Sequence, residues 1–113
     1  MLPSIALVIF LAVACVGLYM ATRMVRNQDV AVQIVHSHGL AAAVGIGVLL
    51  YAVTQNQIED RGAFALVLFL VTAAGGVVLH RLAKKLSNKP KGLAMAHGGF
   101  AIFAIAMLAT YLM

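Results

Sequence analysis

Charge is what this chain has least of. Only 10% of its 113 residues are charged, and Asp and Glu together number three. So small a supply does not solvate the surface of a soluble domain. There are no paired carboxylates and no nucleophile beside a base, so hydrolase chemistry has no residues to run on. The long apolar runs contain no Asp, Glu, Lys or Arg, which excludes a carboxylate-based pump or antiporter core. With one cysteine, Cys15, an internal disulfide is impossible. The segment LPSIALVIFLAVAC ends in a small-small-Cys pattern like a lipoprotein cleavage site, but no basic region precedes Ile5. Cys15 is therefore expected to pack as a small buried thiol.

What the chain has is hydrophobicity: 64% of residues are apolar and the mean hydropathy is +1.04. Four runs are long enough to cross a bilayer, which takes about 20 residues. They lie near 2–23, 34–54, 62–81 and 92–113, separated by the short polar segments RMVRNQDVAVQ, QNQIEDR and KKLSNKPK. The expected fold is an all-α integral membrane four-helix bundle, a single four-span domain over residues 1–113. Arg23, Arg26, Arg81, Lys84, Lys85, Lys89 and Lys91 all fall in the first and third connections. By the positive-inside rule that side is cytoplasmic, both termini face outward, and the expected location is a bacterial inner membrane. The basic balance then reads as topology and attraction to anionic headgroups. Nothing in it resembles a nucleic-acid groove. Gly45-Ile-Gly47 sits in an apolar helix and lacks the strand a nucleotide loop requires. Tyr51 and Tyr111 read as interface anchors.

The chain repeats itself. A shift of 59 residues lays His38-Gly39 on His97-Gly98, Ala42 on Ala101, Ile46 on Ile105 and Leu49 on Leu108, while a shift of 58 lays Gly17 on Gly75 and Arg23 on Arg81. The pattern predicts two tandem helical hairpins in the same orientation, related by a pseudo-twofold axis along the membrane normal. Under that symmetry His38 and His97 share one depth, about a turn inside the cytoplasmic rim. His80 ends the third span at the same rim. His36 points about 200° away from His38 at about 100° per residue, so only one of the two looks at a common centre. Small residues on these faces, such as Ala41, Gly45, Ala101 and Ala104, serve either close helix packing or a slot for a flat cofactor.

Imidazole suits zinc, copper and iron, but carboxylate and thiol partners are scarce, Asp29 being the acid at this rim. A b-type haem needs less: two axial imidazoles at one depth, small flanking residues and cations for the propionates. His38 and His97 are the expected axial pair, with His80 as a third candidate. Gly39, Gly98 and Gly99 would clear room, and Arg81, Lys84 and Arg26 would meet the propionates. In its four spans and these histidines the chain resembles the four-helix b-type membrane cytochromes of the cytochrome b561 kind. The resemblance implies haem b, electron transfer and a quinone or redox partner. There is no second histidine set on the outer side. The alternative is a cofactor-free accessory or assembly subunit packed against other membrane subunits. On either reading the chain is not expected to be a catalyst in its own right.

Overall fold

The computed structural model describes residues 1–113, which form four α-helices and no strands: α1 (Leu2–Val25), α2 (Val32–Thr54), α3 (Asp60–Lys85) and α4 (Lys91–Leu112). Pro3 lies in the first turn of α1, where its missing N–H breaks no bond. The helices α1 and α2 stop in the same way. Asn27 and Asn56 take left-handed backbone angles, φ 56° and 55°. The following N–H groups reach back across the last turn, Gln28 to the Arg23 carbonyl at 2.8 Å and Gln57 to that of Ala52 at 2.9 Å. This is the Schellman arrangement, with asparagine in the place glycine usually takes. No such signal interrupts Arg81-Leu82-Ala83-Lys84-Lys85, and α3 runs through it, about a turn beyond the span read from hydropathy. Lys84 and Lys85 close that helix, where cations complement the carbonyl end.

All four helices are long and apolar enough to cross a membrane, and the protein is an integral membrane four-helix bundle. Its long dimension is 46 Å. Such a rod spans a bilayer with its headgroup layers. The bundle is a ring: α1 packs on α2 and α4, α3 packs on α4 and α2, and the diagonal pairs do not approach through their backbones. Each hairpin, α1–α2 and α3–α4, is the tighter unit.

A single shift of 59 relates the hairpins. Helices α2 and α4 begin at positions 32 and 91. Phe10 and Phe69 stack face to face across the ring, centroids 3.7 Å apart and planes within 6°. Leu49 and Leu108 are both fully buried, as are Ala6 and Ala65. The shift of 58 expected for the first helix of each hairpin is therefore corrected: Gly17 matches Gly76, not Gly75. The sequence carried a signal for this, since Ala6-Leu7-Val8 and Phe10-Leu11 recur as Ala65-Leu66-Val67 and Phe69-Leu70.

The buried core fills only one half of the bundle. Buried residues of α1 end at Val13 and those of α3 at Thr72, while those of α2 begin at Gly45 and those of α4 at Ala104. All therefore lie toward the end that carries the Gln57 loop. At the opposite, basic end no residue is buried.

Candidate functional site

In that half without a core, α2 and α4 each send a histidine toward the centre. His38 and His97 both stand six residues into their helices, about 9 Å at about 1.5 Å per residue. They face each other across the ring with centroids 6.4 Å apart and planes crossed at 72°. They sit just beyond the Phe10–Phe69 stack, which closes the centre on the other side.

The neighbouring helix of each hairpin sets the position of each ring. A Cβ at Gly17 of α1 would lie 3.0 Å from Cε1 of His38, and one at Gly76 of α3 would lie 2.9 Å from Cε1 of His97. Only a residue without a side chain leaves that room. Each imidazole also faces a carbonyl of the same neighbouring helix, Val13 for His38 and Thr72 for His97. The two carbonyls are again 59 positions apart. Neither contact reaches hydrogen-bonding geometry, so Nδ1 of both histidines is buried without a partner. A buried polar nitrogen left unpaired costs about 1–3 kcal/mol. The bundle carries this cost twice, at symmetric places.

The glycines that make room are not the ones next to the histidines in sequence. A side chain added at Gly39, Gly98 or Gly99 would meet nothing within 4 Å. Gly17 and Gly76 do that work from the adjacent helix, a pairing that the repeat register reveals and local sequence does not.

His80 does not join the His38–His97 pair. It faces His36 from α3 to α2 at the basic rim, centroids 6.4 Å apart and planes at 69°. Lys84, one turn along α3, is its other near charged neighbour. Arg81 and Lys85 are exposed on the same last turns, as is Arg26 at the end of α1. Asp29 is engaged by Lys89 at 3.0 Å, tying the two loops of the basic end together. No three His, Cys, Asp or Glu side chains converge here.

One further expectation is corrected, and Tyr111 gains a second role. Cys15 is exposed rather than buried, because α1 turns its Ala14 and Gly17 side inward. Tyr111 is more than an interface anchor. Its hydroxyl donates to the Gln57 carbonyl at 2.9 Å and accepts from the Glu59 N–H at 3.2 Å, fixing the α2–α3 loop. Gln57 in turn accepts from the Leu2 N–H through Oε1 at 3.0 Å.

A shallow cleft of about 150 Å³ opens between α3 and α4 and reaches His97, passing Thr72, Gly75 and Phe100. In the first hairpin Val16 stands where Gly75 is, and Ala41 where Phe100 is. The inner site is thus nearly symmetric at its centre and asymmetric at its wall. Compared with protein-family models, curated proteins and solved structures, the chain matches none of them.

Proposed function

We propose that this chain is a b-type haem protein of the membrane, holding the iron between His38 and His97 and passing single electrons at its basic end. One observation carries the reading: two symmetric, half-buried imidazoles, each with a buried and unpaired Nδ1, face each other in the half of the bundle that has no core of its own.

Gly17 and Gly76 let the two imidazoles lie close against α1 and α3. The carbonyls of Val13 and Thr72 stand ready to orient the rings, the usual duty of groups behind a metal-bound histidine. The Phe10–Phe69 stack limits the site toward the membrane centre and excludes water from that side. Bound between two imidazoles, haem iron supplies one-electron chemistry. The electron partner is a quinone or another membrane redox subunit, and the basic end faces the cytoplasm of a bacterial inner membrane.

The test is an absorption spectrum of the detergent-purified protein, produced with ample haem, before and after dithionite. A Soret band that shifts and sharpens on reduction is expected, and His38→Ala and His97→Ala should each lose it. A colourless wild-type protein overturns the proposal and leaves the accessory-subunit reading.

A further inference from the structure

At the basic rim the two seams between the hairpins differ. Where α2 meets α3, His36 faces His80 with ring centres 6.4 Å apart, and Lys84 follows His80 by one turn of α3. The matching positions of the α1–α4 seam are Met95, Ala21 and Val25, whose side chains carry neither charge nor donor. The α2–α3 seam is also the looser of the two. Its helices are joined only at the other end of the bundle, through the Gln57 loop.

The chemistry of the cluster selects the sign of its ligand. His36, His80 and Lys84 make no hydrogen bond to any protein group, and the single ion pair of the chain engages Lys89 with Asp29. No other acid lies at this end, since Glu59 and Asp60 stand at the opposite one. Free imidazole N–H donors beside an ammonium group, with Arg81 and Lys85 on the same helix end, repel a cation and suit the oxygens of a phosphate ester.

Depth selects its source. His36 stands four residues into α2 and His80 five residues before the end of α3, about 6–8 Å from the helix ends at about 1.5 Å per residue. A bundle 46 Å long, centred on a hydrocarbon layer of about 30 Å, overhangs it by about 8 Å at each end. The cluster thus lies where that layer meets the headgroups. One turn deeper, Leu40 on α2 and Val77 on α3 are exposed and apolar, the surface an acyl chain covers.

We propose that the basic end of the α2–α3 seam is a binding site for one anionic phospholipid, its phosphate held by His36, His80 and Lys84. The basic end as a whole attracts anionic lipid diffusely. The seam adds a fixed seat on one side of the pseudo-axis, where a lipid fills the looser join between the hairpins. The site uses neither His38 nor His97 and is independent of the haem reading.

The experiment is native mass spectrometry of the full-length protein, released from detergent with phosphatidylglycerol and phosphatidylcholine of identical acyl chains. Wild type should hold one phosphatidylglycerol about tenfold more tightly than phosphatidylcholine, the worth of about one charge-assisted hydrogen bond. In His80→Ala/Lys84→Gln the preference should fall to about twofold or less. Lys84 and Arg26 are both exposed, so neutralising either keeps the fold. Lys84→Gln alone should narrow the preference severalfold, whereas Arg26→Gln, which removes the same charge from the end of α1, should leave it within about twofold of wild type. Soluble glycerol phosphate should not displace the bound lipid. Equal wild-type affinities for the two lipids, or equal losses in Lys84→Gln and Arg26→Gln, overturn the seat in favour of diffuse surface charge. Displacement by glycerol phosphate overturns the lipid as its occupant.

Discussion

Placing a methyl group at Gly17 or Gly76 probes the site without touching a ligand. An added Cβ would stand 3.0 Å from His38 Cε1 in one case and 2.9 Å from His97 Cε1 in the other, where ordinary contact begins at 3.4 Å. Each ring must therefore retreat by 0.4 to 0.5 Å. The adjoining helix backbone is fixed by hairpin packing, so the movement falls on the histidine side-chain torsions. Driving a side chain off its rotamer costs about 0.5–1.5 kcal/mol. In the apoprotein the ring is free to turn aside, whereas ligation holds it in line, so the cost falls on the bound state and converts to roughly a two- to twelvefold weaker haem affinity for each of Gly17→Ala and Gly76→Ala. The double variant should lose more than either alone, since both rings share one ligand. Helix propensity works the other way, favouring alanine by up to about 1 kcal/mol, so the apoprotein should unfold no more easily. Haem titration gives the affinity, and unfolding in mixed micelles followed by circular dichroism gives the stability. Gly39→Ala and Gly98→Ala serve as controls, because their added Cβ atoms meet nothing within 4 Å. If these controls weaken haem binding while Gly17→Ala and Gly76→Ala do not, the placement of the site between α1 and α3 is refuted.

The filled half of the bundle makes its own predictions. Leu49→Ala and Leu108→Ala remove fully buried side chains and should each cost about 2–5 kcal/mol in micellar unfolding, whereas Leu50→Ala, on the lipid face, should cost little. Gly45→Ala would put a Cβ 2.8 Å from Phe10 Cζ, forcing the Phe10–Phe69 stack apart. A loss of about 1–3 kcal/mol is expected, and unchanged stability would show that the stack has slack. Tyr111→Phe should cost about 1 kcal/mol and speed hydrogen exchange in the Gln57–Glu59 loop, which loses both hydroxyl bonds.

Much of this was legible in the chain itself. Four uninterrupted apolar runs with almost no charge leave the backbone no choice but helices across a bilayer, because every N–H and C=O must be satisfied inside its own segment. The recurrence of His-Gly at positions 38 and 97 established a repeat, and a repeat places matched residues at equal depth. Two things were not legible. Apolar helices look alike, so the register of α1 against α3 slipped by one residue until the Phe10–Phe69 stack fixed it. Helix length read from hydropathy also stops where charge begins, while α3 continues through Lys84 and Lys85, cations that complement the carbonyl end of a helix.

The sequence by itself determined the spans, the basic end and the pairing of His38 with His97, since periodicity, charge and repetition are properties of the string. Only the tertiary structure decided that His80 turns to His36, that Gly17 and Gly76 make the room, and that the core stops at Val13 and Thr72. Those facts depend on how each helix is rotated about its own axis, which is set by the packing of one hairpin against the other.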